Sequence, residues 1–290
     1  MRICVAHETL YRYQPPAAGV IQTLRLTPRN HAGQYVVDWR IDVSADCRLD
    51  PQEDAFGNIV HAFAADGPIA ELRLVVEGDV ETQDAAGVVR GAMERFPPTL
   101  FLRETPLTRA DEAMLAYAAQ FAPTVGRGPP RSDEPRAGND GAGAQALATL
   151  HALLTRLHQD MAFEPAAAAA DAAEAFARRR GPSRDFAHVF IALSRALGIP
   201  ARFVNGYCGT AREEQGREAV HAWVEAHVGG LGWVGFDPAG GLCVADRHVR
   251  LAVGLDCLGA APVRGAHYGG GGEEQVEKLT LSQASRQAQE

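Results

Sequence analysis

The first eighty residues read as β-strands. From Val36 to Val43, Val37, Trp39, Ile41 and Val43 fall on one side of the chain, and Leu72 to Val80 repeats the β-rich pattern. Between them Asp54-Ala55-Phe56-Gly57-Asn58 has the composition of a turn entering a strand, with Gly57 and Asn58 supplying a permissive backbone. These features predict a small all-β unit. A sandwich is the expected form, although the same spacing allows a barrel.

At Ala110 the pattern changes to helix, with Glu112, Ala113, Met114, Leu115 and Tyr117 leading it. The stretch from Thr124 to Gly143, rich in Gly, Pro, Arg and Asp, reads as an exposed loop. Leu147, Leu150, Leu154 and Leu157 then recur at helical spacing, and Ala166 to Ala177 has high helix propensity but little large apolar surface. After Gly181-Pro182, the residues Phe186, Phe190, Leu193 and Leu197 form one apolar stripe of a buried helix. Gly198-Ile199-Pro200 stops that helix, and Ala201 to Val204 begins a strand. Further strands are predicted over 221–228 and 233–237, and Gln275 to Leu281 adds a last one. Strands, then helices, then antiparallel strands make the fold class α+β. The expected division is a β-rich domain over 1–105 and an α+β core over 106–290, with the exposed loop at about 124–143.

The strands at 221–228 and 233–237 carry the first candidate chemistry. Alternation places His221, Trp223, Glu225 and His227 on one face, and Trp233, Gly235 and Asp237 share a face of the next strand. A strict four-residue loop would pair Val228 with Trp233 and set Asp237 opposite Val224, on the wrong face. Lengthening the loop by one residue pairs His227 with Trp233. Asp237 then faces Trp223 and lies diagonal to His221, about 7–8 Å away at the backbone and within side-chain reach. The prediction is a larger loop or a bulge, with Asp237 touching an imidazole nitrogen. Such a pair is either the base and orienter of a nucleophilic triad or an ordinary His–Asp pair on a sheet surface. As metal ligands, His221, His227 and Asp237 are poorly spaced, because the two histidines stand too far apart along one strand. No metal and no other cofactor is expected.

Composition narrows the classes. The chain has 290 residues, 46% hydrophobic and 22% charged, with a formal net charge of -8. An acidic balance gives no electrostatic reason to expect nucleic-acid binding. Five cysteines, at 4, 47, 208, 243 and 257, are widely spaced and include no CxxC pair, so neither a zinc knuckle nor a disulfide framework is suggested. The start, MRICVAHETLYRY, lacks the apolar core of a signal peptide, and no run is long enough to span a bilayer. A cytoplasmic protein without membrane association is the expectation. Oligomeric state is not readable.

Several stretches resemble the bacterial transglutaminase-like proteins. They are Arg180-Gly181-Pro182-Ser183-Arg184-Asp185-Phe186-Ala187-His188, Leu197 to Tyr207, His221-Ala222-Trp223-Val224-Glu225 and Gly232 to Pro238. Tyr11-Arg12-Tyr13, Leu24 to Pro28 and Asp54 to Asn58 look like the β-rich N-terminal domain of that family. Arg247-His248 and Ala261 to Gly265 look like its usual ending. The resemblance implies a papain-like core with a Cys-His-Asp triad whose cysteine opens the central helix. Histidine then falls on His221 and aspartate on Asp237, in agreement with the face argument. The cysteine falls on position 183, which is serine, and Pro182 stands where the family typically has valine.

A cysteine is partly thiolate near neutrality, and a helix N-terminus with a neighbouring imidazolium assists it further. A hydroxyl needs a well-aligned general base. Ser183 is therefore read either as a helix N-cap or as a serine nucleophile, with its backbone N–H as one oxyanion donor. Cys208, Cys243 and Cys257 open no helix and are read as small packed thiols. Asp185 in the first helical turn, His188 beside the apolar stripe, and Trp223 and Trp233 on the His221 face are supporting residues. The resulting expectation is a protein acting on protein or peptide amide bonds by acyl transfer or hydrolysis, with serine replacing the catalytic cysteine. The alternative is a non-catalytic member that binds protein or peptide.

Overall fold

The computed structural model describes residues 1–122, 139–168, 170–209 and 220–283, with the side chains of 139–140 excepted. Strands β1 (Arg2–Thr27), β2 (Gln34–Val43), β3 (Asp50–Glu53), β4 (Ile59–Thr82) and β5 (Val88–Val89) come first. The middle holds helices α1 (Glu112–Ala119), α2 (Asn139–Asp160), α3 (Ala172–Arg178) and α4 (Ser183–Ala196). Short parallel strands β6 (Ala162–Phe163) and β7 (Arg180–Gly181) flank α3. The remainder is β8 (Ala201–Cys208), β9 (His221–Val228), β10 (Gly232–Asp237), β11 (Leu242–Cys243), β12 (His248–Gly254), β13 (Val263–Tyr268) and β14 (Gly272–Gln283). This is the α+β arrangement expected from the sequence.

The first sheet is built on two long strands rather than on many short ones. Its order is β13-β1-β4-β2, with β14 also on β1 and β3 on β4. In β1 the side chains of Ile3, Val5, His7, Thr9, Tyr11 and Tyr13 are buried in strict alternation, which fixes its register. The Pro15-Pro16 pair cannot donate to a ladder, and the β1–β4 register shifts between Arg12 and Ala17. Beyond this break β1 takes a new partner on the same edge: residues 3–14 pair with β14, and residues 19–24 with β13. The last two strands of the chain thus return to the first. The predicted 72–80 strand is one part of the much longer β4.

The second sheet has the order β11-β10-β9-β8-β12, with β5 on β10. Helix α4 packs on it with Phe186, Val189, Phe190 and Leu193 fully buried, and Phe190 stacks on Phe236 of β10 at 5.6 Å. The Ala166–Ala177 segment becomes helical only from Ala172. Asp171 caps it by accepting from the Glu174 backbone N–H, and Glu164 to Ala167 make a turn ahead of it. Most of the predicted 124–143 loop lies outside the described residues, and α2 is already helical at Asn139.

Two side-chain amides join the sheets. Gln34 donates to the Arg250 carbonyl at 2.9 Å and accepts the Arg250 N–H at 2.7 Å. Asn58, in the turn read from the sequence, does the same with Val253 at 2.8 Å in both directions. Residues three apart on a regular strand point their backbone groups to opposite sides. The register shift in β12 between Arg250 and Ala252 brings both pairs to one side.

Candidate active site

The predicted β9–β10 register is present: Trp233 pairs with His227 and Gly235 with Glu225. It is reached through a tighter connection than anticipated, since Val228 also pairs with Gly232 and Gly230 takes φ of 83°. Asp237, the last residue of β10, accepts from His221 Nε2 at 2.9 Å through Oδ2. Its Oδ1 accepts the Gly240 backbone N–H at 2.9 Å.

A second imidazole shares the same carboxylate oxygen. His248, at the start of β12, places Nε2 3.3 Å from Asp237 Oδ2 and Nδ1 3.2 Å from the Ala245 backbone nitrogen. A neutral ring with its proton on Nε2 satisfies both contacts. Strands β10 and β12 lie three ladder steps apart, about 14 Å in a flat sheet. Only a strongly curled sheet lets side chains from both reach one oxygen. Burial alone would raise the Asp237 carboxyl, but the two imidazoles hold it far below the usual carboxylate range.

Cys208 completes the group. It ends β8 opposite His248, two residues past Gly206, which pairs with His221 on the other side. One ligating atom each of Cys208, His221, Asp237 and His248 lies within 4.8 Å of the other three. The expectation that serine had replaced the cysteine of this site is overturned by that cluster. A thiol is retained beside the His–Asp pair, and it comes from a strand end rather than from a helix start. The reading of Cys208 as a small packed thiol is corrected with it.

Position 183 plays a different local part from the N-cap expected. Pro182 is the N-cap of α4, and Ser183 is its first helical residue. The buried Ser183 hydroxyl accepts the Ala222 backbone N–H at 3.0 Å, holding the helix start against the strand residue next to His221. Ser183 also lines a cleft of about 760 Å³ together with Pro182, Arg184, Asn205, Val220, Ala222 and Cys257. Val220 and Ala222 flank His221 in sequence, so the cleft runs beside the strand that carries the imidazole.

The supporting residues separate into two places. Trp223 is buried beneath the cluster, edge-on to His248 at 5.3 Å and stacked with His221 at 6.3 Å between ring centres. Gly206 leaves room for it, because a side chain there would strike the Trp223 ring and the Val249 carbonyl. Trp233 sits elsewhere, with the Arg202 guanidinium 3.9 Å over its ring. Asp185 is buried in the first turn of α4 and accepts from Arg184 at 3.2 Å. His188 is buried, accepts the Cys257 backbone N–H at 3.1 Å, and is pushed down to about 4 by burial. His227 stands edge-on to Trp233, apart from the cluster. Cys257 lines the cleft, but burial pushes its thiol up to about 11, far from a nucleophile's range.

One ion network braces the strands that hold the cluster. Glu225 of β9 is fully buried and accepts from Arg202 of β8 at 2.7 Å and Arg250 of β12 at 2.7 Å. Burial would raise its carboxyl, yet Arg250 and Arg202 hold it at about 2. Arg202 in turn makes a bidentate pair with Glu94 at 2.8 and 2.9 Å.

The chain is similar to known proteins along most of its length. Residues 3–81 match the family described as the bacterial transglutaminase-like N-terminal region, and residues 137–238 match the transglutaminase-like superfamily. An uncharacterized protein of Mycobacterium leprae is 28% identical over 93% of this chain and 94% of its own length. An uncharacterized protein of Mycobacterium tuberculosis is 26% identical over 92% and 88%. Among solved structures, one described as "a Putative Cysteine Protease from Cytophaga hutchinsonii" aligns with 97% of this chain and 90% of its own, at a TM-score of 0.63 and 18% identity, a likeness of fold. Among the described residues no helix is long and apolar enough to cross a membrane. With both family regions matched in order, and with the antiparallel front sheet and curled second sheet of a papain-like fold in place, the chain belongs to the bacterial transglutaminase-like proteins.

Proposed function

We propose that this protein is a thiol-dependent acyl-transfer enzyme acting on amide carbonyls of protein or peptide substrates, with Cys208 as nucleophile. The observation that carries the reading is the convergence of the Cys208 sulfur with His221, Asp237 and His248 inside 4.8 Å. His221 takes the thiol proton while Asp237, locked by the Gly240 N–H, orients the ring and stabilises the imidazolium. The thiolate attacks the amide carbon to give a tetrahedral oxyanion. On collapse the C–N bond breaks and the leaving amine takes its proton from His221. The thioester is then released to water or to an acceptor amine, which loses its proton to the same imidazole. His248 shares the carboxylate without touching the substrate in this scheme and is a positioning residue.

The test is turnover of a peptide and glutamine–amine panel by the native chain and by Cys208→Ala, Ser183→Ala and Cys243→Ala. Loss with Cys208→Ala and retention with Cys243→Ala is the expected result. Turnover that survives Cys208→Ala and disappears with Ser183→Ala would overturn the assignment of the sulfur.

A further inference from the structure

The four donors of the cluster are also a ligand set. We propose that Cys208, His221, Asp237 and His248 bind one soft divalent cation of the zinc type in a four-coordinate site.

Zinc takes thiolate, imidazole and carboxylate ligands at about 2.0–2.3 Å, so the edges of its tetrahedron measure about 3.3–3.8 Å. The His248–Asp237 edge is already 3.3 Å, and the His221–Asp237 edge of 2.9 Å needs to open by only a few tenths of an ångström. All remaining edges fall inside 4.8 Å. The charges close as well. A thiolate and a buried carboxylate neutralise a divalent cation, leaving two neutral imidazoles and no net charge in a site where Asp237 is 3% exposed. A hard cation such as calcium or magnesium prefers six or more oxygens and is a poor match for this mixed sulfur and nitrogen set.

The surrounding contacts suit metal ligands. His248 Nδ1 also lies 3.3 Å from the Ala245 carbonyl. Moving the ring proton from Nε2 to Nδ1 exchanges the contact with the Ala245 N–H for donation to that carbonyl, the usual outer contact of a ligating histidine, and frees Nε2 for a cation. The second oxygen of Asp237 is held by the Gly240 N–H, and Trp223 walls the imidazoles on one side. These ligands are 13, 16 and 11 residues apart in sequence, with each donor on a different strand of one curled sheet. Such a set forms no sequence motif. It is assembled by topology.

Binding of the cation does not depend on the proposed acyl chemistry. Its consequence does, and rests on that reading: a bound metal would occupy both the nucleophile and the base and hold the enzyme silent until removed.

The experiment uses untagged full-length protein stripped with chelator. Cysteine alkylation is followed residue by residue by mass spectrometry with and without one equivalent of Zn²⁺, and Co²⁺ is titrated in parallel. The expected result is protection of Cys208 by about tenfold or more, with Cys4, Cys47, Cys243 and Cys257 unchanged, and a sulfur-to-cobalt charge-transfer band that saturates at one equivalent. Cys208→Ser should remove the band, and His248→Gln should weaken Zn²⁺ binding by at least about tenfold. Unprotected Cys208 in the native chain overturns the site, and so does a charge-transfer band that survives Cys208→Ser. Since these readouts are labelling and absorption, they separate failure of the metal site from failure of the enzyme assignment.

Discussion

Replacing Glu225 by glutamine tests whether the buried ion network holds the strands of the candidate site. In the native chain one carboxylate serves two guanidiniums, from Arg202 at 2.7 Å and from Arg250 at 2.7 and 3.3 Å. The side chains of Glu225 and Arg202 are 1% and 2% exposed, and that of Arg250 is 11% exposed. Removing one partner of a buried ion pair costs about 3–5 kcal/mol because a charge is left uncompensated. Arg202 keeps its bidentate pair with Glu94, and Arg250 retains some access to water, so the lower end applies, about 3 kcal/mol. A chain of this length unfolds with an entropy of about 0.6 kcal/mol/K, which converts that loss to a fall in Tm of about 5 °C. Thermal unfolding followed by circular dichroism measures it. Glu8→Gln is the control, since its partner Arg73 is exposed and solvent screens such a pair. A Glu225→Gln protein that loses no more than the Glu8→Gln protein would refute the argument that this network carries stability.

Two further outcomes follow from the same structure. Gly206→Ala should cost about 1–3 kcal/mol by overpacking and should lower turnover and Zn²⁺ affinity together, because the added carbon displaces Trp223 from beneath both imidazoles; denaturant unfolding and metal titration of one sample check this. His7 and His188 are buried neutral and pushed down to about 4, against about 6.5 in the unfolded chain. Below pH 6.5 the unfolded chain therefore binds protons that the folded one does not. Stability should fall from pH 6.5 to about 4, by at most about 3 kcal/mol for each histidine, and urea midpoints that stay level across this window would contradict it.

How much of this was legible in the sequence depended on the range of the contact. Alternation and the glycine turn placed Asp237 beside His221 because both residues sit on one hairpin, where register follows from parity. The helix of residues 183–196 was readable from its apolar stripe and from Gly198. Cys208 was misread, although its parity with Gly206 and the pairing of Gly206 with His221 would have aimed it at the same face. No local pattern gives that pairing, since residues 210–219 intervene between β8 and β9. His248 was visible only as part of a familiar ending. Its place on the Asp237 oxygen comes from sheet curl, which is a sum of small twists over several strands and leaves no mark on any one of them. The long β1 was hidden for a related reason: a proline pair ordinarily ends a strand, whereas here it marks a change of partner within one strand.

The paired amides of Gln34 and Asn58 bear on what happens when two copies of this chain meet. An outer strand with open backbone donors and acceptors is a template on which another chain can add. On β12 the N–H and C=O of both Arg250 and Val253 are already taken by side chains that mimic a neighbouring backbone. Because the register shift directs the backbone groups of both residues away from β8, the two amides close either end of the short run between them. On the strand that presents His248, side chains of the first half of the chain thus fill the backbone positions that another strand would need.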